Sequence, residues 1–188
     1  MPQHQARIER EYGPFPDAAR VNGVSFDGRR VWFASGEKLT AFDPASGEAT
    51  RTHALAAHAG TAFDGCRLYQ IAGDRIHTID PQTGQSLASI PAPPGASGLA
   101  WAEGRLWLGQ YKERKIHQID PATGAILRTL LSNRFVTGVT WVEGELWHAT
   151  LEEAQPPGGT SAEPAERQTC AQVEDRGADK AVSELRRV

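Results

Sequence analysis

The chain has little of what several common classes of protein require. Its 188 residues include only two cysteines, too few for the disulfide framework that holds small secreted domains together. The formal net charge is -3 and no basic stripe runs along the sequence, which argues against a nucleic acid partner. No apolar stretch approaches the length of a transmembrane helix, and the first residues lack the charged segment and apolar run of a secretory signal. These absences predict a soluble, cytoplasmic protein that does not bind membranes.

The 3.6-residue apolar period of helical repeats is also missing, but a longer period is present. Three turns of one type, 37 and then 40 residues apart, each consist of Asp, Pro, two further residues and Gly: 43–47, 80–84 and 120–124. In such a turn Asp opens the bend, Pro presets φ and Gly takes the positive-φ corner. Each turn follows a short strand-like run, so the pattern predicts a hairpin that recurs along the chain.

A second marker recurs out of phase with these turns. It consists of a glycine, an aromatic residue three positions later, and a Trp or Tyr six positions after that. Its four copies begin at Gly23, Gly60, Gly98 and Gly138. A period near forty with four short strands in each copy is typical of β-propeller blades. We therefore expect an all-β propeller of four four-stranded blades, each of about 37–40 residues.

The strands of each predicted blade follow one another in the order A, B, C and D. The predicted D strands of the first three blades are 49–55, 86–90 and 126–131. In the fourth blade, residues 184–188 match strand C, and residues 6–12 lie upstream of Gly23 as a D strand should. Pairing of these two segments would close the ring with the N-terminal strand and remove exposed sheet edges. The alternative is a fragment of a five-bladed or larger propeller.

Residues 1–188 are interpreted as one domain with a single interruption. Residues 152–182, between strands B and C of blade four, contain no Leu, Ile, Phe, Trp or Tyr. Such a segment cannot contribute to a core, so we expect a flexible surface insertion. It is either a tolerated loop extension or a lid or docking element. The second reading is open because B–C and D–A connections share the rim around the channel of a propeller.

Two stretches of the sequence resemble known propeller families. Residues 23–47 resemble the repeat of the YncE, NHL and virginiamycin B lyase type, with Asp-Gly, then Val-Trp-Phe, then Lys-Leu before the Asp-Pro turn. Blades three and four are more similar to the plant-type glutamine cyclotransferase family. Gln110-Tyr111-Lys112 resembles its Thr-Trp-Lys segment, and residues 140–147 resemble its Glu-Trp-Val-x-Gly-x-Ile-Trp. The resemblance implies the fold and, as an expectation, cyclisation of N-terminal glutamine.

The residues that this resemblance would make catalytic differ in this chain. Phe33, Gly138 and Ala149 stand where the cyclotransferase pattern has polar catalytic groups. The lyase type implies a histidine just before the strand A glycine, where this chain has Asn22, Ala59, Ser97 and Thr137. Cyclisation needs a proton taken from the attacking amine and given to the leaving ammonia, so a site without a positioned carboxylate lacks an obvious general acid or base. A shared fold does not imply a shared reaction.

Among the remaining residues, His148 is the candidate catalytic group, as a base or as an anion-binding side chain, with ordinary packing as the alternative. Polar residues of the D–A and B–C connections converge on one mouth of the predicted channel, the usual place for a ligand. The ligand-binding candidates are Asn22, His58, Ser97, Tyr111, Lys112, Arg134 and Thr137. No metal site or cofactor is predicted from the residues, although a divalent metal on the channel axis remains open.

Two functions are compatible with these residues. The first is a monomeric propeller that binds a small molecule or a peptide at the channel mouth without catalysis. The second is an enzyme of the glutamine cyclotransferase or lyase type with a rearranged site that uses His148, Tyr111 and Lys112.

Overall fold

The computed structural model describes residues 10–15, 18–151 and 183–187. These residues form fifteen β-strands in four antiparallel sheets, and each sheet consists of strands that follow one another in the chain. The described residues contain no helix, so none there could cross a membrane. The predicted all-β propeller with four blades is confirmed.

Each sheet is one blade, and its strands are named A to D in chain order. Blade one contains β1 (Gly23–Phe26), β2 (Val31–Ala34), β3 (Gly36–Phe42) and β4 (Ala49–Ala57). Blade two contains β5 (Thr61–Phe63), β6 (Leu68–Ala72), β7 (Arg75–Ile79) and β8 (Ser86–Pro91). Blade three contains β9 (Ala96–Ala102), β10 (Arg105–Gln110), β11 (Lys115–Ile119) and β12 (Ile126–Leu131). Within the described residues, blade four contains β13 (Phe135–Val142), β14 (Glu145–Leu151) and β15 (Ser183–Arg187).

The Asp-Pro turns join strands C and D as predicted. In each turn a carboxylate oxygen of Asp43, Asp80 or Asp120 accepts the amide N–H two residues further on, at 2.7 or 2.8 Å. The turn glycines have φ values between 75° and 80°, a conformation that glycine adopts without steric cost. Backbone hydrogen bonds hold the pKa of Asp80 and of Asp120 below the usual range, against a smaller effect of burial. All three acids therefore stabilise turns.

The blades contact one another through their A strands, because β1 touches β5, β5 touches β9 and β9 touches β13. Glycine occupies each point of closest approach. A Cβ atom on Gly23 would lie 2.9 Å from the Cα of Gly60, one on Gly60 would lie 3.0 Å from the Cα of Gly98, and one on Gly98 would lie 2.6 Å from the Cα of Gly138. Only glycine permits this approach of one backbone to another. The A strands are therefore the innermost strands of the propeller.

Aromatic residues pack between successive blades in a repeated pattern. The B-strand aromatic residue of one blade lies against the A-strand aromatic residue of the next. Tyr69 stacks on Trp101 and Trp107 stacks on Trp141, and Phe63 packs against the buried cluster that contains Trp32. The three B-strand residues are at most 4% exposed. Each such side chain buries roughly 150–250 Å², so these contacts form much of the core between the blades.

Residues 10–12 do not form the strand that the sequence predicts. Among the described residues β15 pairs only with β14. Side-chain contacts hold residues 10–12 instead of backbone pairing. Arg10 donates to the carbonyl of Pro44 at 2.9 Å, and the Tyr12 hydroxyl donates to the same carbonyl at 2.7 Å. The Tyr12 ring packs on Phe42. The predicted pairing with strand C of blade four is therefore wrong for residues 10–12, and residues 6–9 lie outside the described residues.

The N-terminal segment nevertheless occupies the position of a D strand relative to blade one. In the D strand of blade one, Arg51 and His53 contact the carbonyl of Pro81 in blade two, at 2.9 and 3.1 Å. Arg10 and Tyr12 have the same spacing in sequence and make the same contacts with the Asp-Pro turn of blade one. Residues 10–12 thus lie against blade one as the D strand of a preceding blade would.

Blade four confirms the predicted strand C. Strand β15 pairs antiparallel with β14, with Ser183 opposite Leu151 and Arg187 opposite Trp147. Residues 152–182, predicted to be a flexible insertion, come between these two strands and lie outside the described residues.

Candidate functional site at the rim

Connections of two kinds meet at one end of the blades. His58 lies between β4 and β5, and its Nδ1 accepts a hydrogen bond from the N–H of Gly73 in the B–C turn of blade two, at 3.1 Å. Because Nδ1 accepts, the ring hydrogen is on Nε2, which lies 3.3 Å from the carboxylate of Glu37 at the start of β3. The side chains of His58 and Glu37 are 48% and 81% exposed. D–A and B–C connections therefore share a solvent-facing rim.

An aromatic and cationic group joins blades three and four at this rim. Tyr111 begins the B–C turn of blade three, and its ring stacks on Phe135 at the start of β13 with centroids 5.0 Å apart. The guanidinium carbon of Arg114 lies 4.7 Å from the centroid of the Phe135 ring. The Arg114 N–H donates to the Tyr111 carbonyl at 3.2 Å, which fixes the turn that places the guanidinium over the ring. This is a cation–π contact.

Two further cations are close to this aromatic pair in the sequence. Lys112 is exposed in the same turn, and Arg134 directly precedes Phe135 in the D–A connection. We call the five residues Tyr111, Lys112, Arg114, Arg134 and Phe135 the rim cluster. The neighbouring carboxylate of Glu113 is 3.5 Å from Lys115. The rim cluster therefore combines an aromatic surface with three positive side chains, a combination that suits a ligand with a planar or apolar part and a carboxylate.

A buried polar chain supports this rim from within blade three. Gln110 donates from Nε2 to the carbonyl of Pro94 at 2.8 Å, and its Oε1 lies 3.1 Å from Nε2 of His117. The ring hydrogen is therefore on Nε2 of His117, and Nδ1 accepts from the hydroxyl of Thr129 at 2.9 Å. Burial, with a smaller effect of Lys115, lowers the pKa of His117 below its usual range. His117 is a neutral structural residue.

Two predicted ligand-binding residues have backbone or interblade contacts, and a third is exposed. Ser97 lies in β9, and its hydroxyl lies 2.7 Å from the carbonyl of Val136, which links blade three to blade four. Asn22 precedes β1 and donates its N–H to the carbonyl of Ala34 at 2.8 Å. Thr137 is exposed within β13. Of the predicted residues, Tyr111 and Lys112 lie in the B–C turn of blade three, Arg134 directly precedes Phe135, on which Tyr111 stacks, and His58 lies at the same end of blades one and two.

His148 lies in strand B of blade four, as predicted, and is 6% exposed. Buried and half-buried residues alternate along β14, and His148 belongs to the buried set with Leu146 and Thr150. Leu146 belongs to one buried cluster with Trp107 of blade three and is opposite Trp141, which stacks on Trp107, so this side of β14 faces blade three. The His148 side chain is therefore in the interface between two blades.

The positions that depart from the cyclotransferase pattern are parts of the scaffold. Phe33 is 3% exposed and its ring lies 4.7 Å from that of Phe15. Gly138 and Ala149 are paired in the ladder between β13 and β14. In the part of the chain that the structure describes, no three His, Cys, Asp or Glu side chains are grouped as metal ligands would be.

Sequence reasoning missed Arg114 and Phe135. Both lie within two residues of a predicted ligand-binding residue, Lys112 or Arg134. The missing information was the stacking of Tyr111 on Phe135, which brings together two connections 24 residues apart in the chain.

Several solved structures share this architecture. Glutaminyl cyclase from Myxococcus xanthus superposes with a TM-score of 0.61 and 15% identity, over 68% of this chain and 66% of that protein. Hydrazine synthase from Kuenenia stuttgartiensis superposes with a TM-score of 0.56 and 18% identity, over 77% of this chain and 46% of that protein. BamB from Moraxella catarrhalis superposes with a TM-score of 0.54 and 14% identity, over 68% of this chain and 39% of that protein. The chain covers less than two thirds of each of these proteins.

No protein-family model and no curated protein sequence matches the chain. Identities of 14–18% show a common fold and leave the activity open. On the repeat, the sheet topology and these superpositions, the chain is a β-propeller that resembles the glutamine cyclotransferase-like propellers.

Proposed function

We propose that this propeller binds a small molecule or a short peptide with a free carboxylate at the rim cluster, and that it does so without catalysis. The stacking of Tyr111 on Phe135, with Arg114 over the same ring, is the observation that carries the proposal. It provides an aromatic surface and a guanidinium whose position the turn already holds, so that little ordering is needed when a ligand binds.

The charge of the rim cluster supports a carboxylate as the recognised group. Arg114 and Lys112 are exposed in one turn, and Arg134 belongs to the adjacent connection. The guanidinium of arginine presents parallel N–H donors that match the two oxygens of a carboxylate. The carboxylate of Glu113, the acid in the same turn, lies 3.5 Å from Lys115, which is outside the rim cluster.

The absence of catalysis is proposed from the residues at the expected catalytic positions. Phe33, Gly138 and Ala149 cannot accept or donate a proton through their side chains. General acid–base catalysis typically contributes ~10²–10⁴ in rate, so a site without these groups can retain binding while losing that contribution.

A matched pair of peptides tests the proposal. We expect the tripeptide glutaminyl-tyrosyl-alanine to shift the NMR signals of the rim cluster in a saturable way. The same peptide with a C-terminal amide should bind at least roughly tenfold more weakly, since a charge-assisted pair contributes on the order of 1.5–3 kcal/mol.

Arg114→Gln should weaken binding of the free acid to a similar extent. Arg29→Gln, in an exposed A–B turn at the opposite end of blade one, is the matched control and should leave binding unchanged. Equal affinity for acid and amide, or no binding of either peptide, would contradict the proposal.

A further inference from the structure

Blade one and blade four each expose one of the two surfaces that meet wherever successive blades of the chain are in contact. At two internal contacts a B-strand aromatic residue stacks on the A-strand aromatic residue of the next blade, and at the first contact Phe63 packs against the buried cluster that contains Trp32. Trp147 is the B-strand residue of blade four and is half-buried, whereas the three equivalent residues are at most 4% exposed. At the other end, the A-strand residues Phe26 and Val24 of blade one are 56% and 60% exposed.

The A-strand glycines show the same open end. Gly23, Gly60 and Gly98 each lie against the A strand of the next blade. Among the described residues, a Cβ atom on Gly138 would meet only the Cβ of Ala149 in its own blade, at 3.9 Å. No other A strand in the described part of the chain lies against this side of β13.

The outer edge of blade four and the N-terminal segment beside blade one are also complementary. Blade four has three described strands, and no other described strand pairs with β15. Residues 10–12 occupy the position of a D strand against blade one and pair with no strand in the described part of the chain. One end thus presents strands A, B and C of a blade, and the other end presents the place of strand D.

We propose that blade four of one copy of this chain docks on blade one of a second copy. Trp147 then packs against Phe26 of the second copy, and β15 lies beside residues 10–12 of the second copy. The contact repeats the one formed three times within the chain, so its shape is already complementary. Among the described residues no A strand lies against Gly138, so we assign this surface of blade four to a second copy.

This association is head to tail, because different surfaces of the two copies meet. Two copies can form the contact twice and close a ring, in which each contact strengthens the other through its high effective concentration. The proposed dimer differs from the monomer expected from the sequence, and sedimentation distinguishes the two.

Sedimentation velocity over a range of protein concentrations tests this inference. We expect a species of twice the chain mass of 20.4 kDa that increases with concentration. Phe26→Arg and Trp147→Arg should each abolish it. Leu131→Arg, at an apolar residue of β12 that is 80% exposed, is the matched control and should leave it unchanged. Circular dichroism checks that each variant is folded. Val24→Arg on blade one and Thr140→Arg on blade four are second variants of the same two surfaces and should also abolish the dimer.

A mixture of the two single variants separates this arrangement from others. The Trp147→Arg protein keeps an intact blade one, and the Phe26→Arg protein keeps an intact blade four. Mixed in equal amounts, they should form a one-to-one heterodimer through the one remaining contact, although each alone is monomeric. A wild-type protein that stays monomeric at all concentrations, a dimer that survives both substitutions, or a mixture that fails to associate would each overturn the proposal.

Discussion

Trp32 donates a hydrogen bond from its indole nitrogen to a carboxylate oxygen of Asp27 at 2.7 Å. Asp27 opens the A–B turn of the same blade, and its second carboxylate oxygen accepts the N–H of Arg30 at 2.6 Å. Blade two contains the same contact, between the Tyr69 hydroxyl and Asp64 at 3.0 Å. The turn acid therefore satisfies the polar atom of an aromatic residue that is otherwise buried between blades.

Blade three differs, and the difference predicts unequal effects of one substitution. Its A–B turn consists of Glu103 and Gly104 alone, with φ values of 53° and 72°, and the buried indole nitrogen of Trp107 has no partner among the described residues. Trp32→Phe removes a hydrogen bond, whereas Trp107→Phe removes a donor that is already unsatisfied. In urea denaturation we expect Trp32→Phe to lower the free energy of unfolding by about 1–3 kcal/mol more than Trp107→Phe does. Equal losses would contradict this interpretation.

The same contacts predict acid sensitivity. Burial acts to raise the pKa of Asp27 and Asp64, but hydrogen bonds from backbone N–H groups and from Trp32 or Tyr69 outweigh it and hold both values below 3.8. Because the folded-state pKa is depressed, the stabilising contribution is complete above the unfolded value and is lost as pH falls through the folded value. We expect the melting temperature to fall below about pH 4, and to fall less steeply in an Asp27→Asn, Asp64→Asn double variant. If the melting temperature of the double variant fell with pH as steeply as that of the wild type, groups other than Asp27 and Asp64 would cause the acid sensitivity.

The A-strand glycines predict a contrast between two alanine substitutions. A Cβ on Gly98 would meet backbone of blade four at 2.6 Å, whereas one on Gly138 has space. Gly98→Ala should lower the free energy of unfolding by about 1–3 kcal/mol or more, and Gly138→Ala should change it by less than about 0.5 kcal/mol. The measurement is made at a protein concentration at which sedimentation velocity shows only the monomer. If Gly138→Ala were equally harmful, an A strand of the same chain would have to lie against blade four.

Phe15 predicts the contribution of the N-terminal segment. Its ring lies 4.7 Å from that of Phe33 and 5.2 Å from that of Phe42, and so covers a face of blade one. Because Phe15 is half-buried, Phe15→Ala should lower the free energy of unfolding by about 1–3 kcal/mol, less than a fully buried phenylalanine would. Val21→Ala, at a residue 49% exposed, is the control and should have little effect. If the two substitutions had the same small effect, the N-terminal segment would not stabilise the fold.

The repeat allowed most of the fold to be predicted from the sequence. The predicted D strand at 126–131 coincides with β12 (Ile126–Leu131), and those at 49–55 and 86–90 are one or two residues shorter than observed. These predictions were successful because turn residues and apolar alternation act locally. The N-terminal strand was mispredicted because residues 10–12 are held by side-chain contacts of Arg10 and Tyr12 with Pro44, which no local pattern specifies.

The candidate site was less predictable than the fold. Tyr111, Lys112 and Arg134 could be selected because the blade pattern placed them on one rim. The hydroxyl of Ser97 contacts the carbonyl of Val136, and the contact depends on the close approach of two A strands. Phe135 follows Arg134 directly, but its role depends on the stacking of Tyr111. Contacts between blades thus decided which polar residues are available to a ligand.

Ammonia release from a peptide with an N-terminal glutamine tests most directly whether this propeller binds without catalysis. Purified protein should bind glutaminyl-tyrosyl-alanine in a saturable way, and ammonia should appear no faster than in buffer, because Phe33, Gly138 and Ala149 supply no proton transfer. Release clearly above the uncatalysed rate would contradict the proposed function. If His148→Ala abolished that release in a folded variant, His148 would be the general base; if release persisted, an acid such as Glu37 would have to carry the reaction.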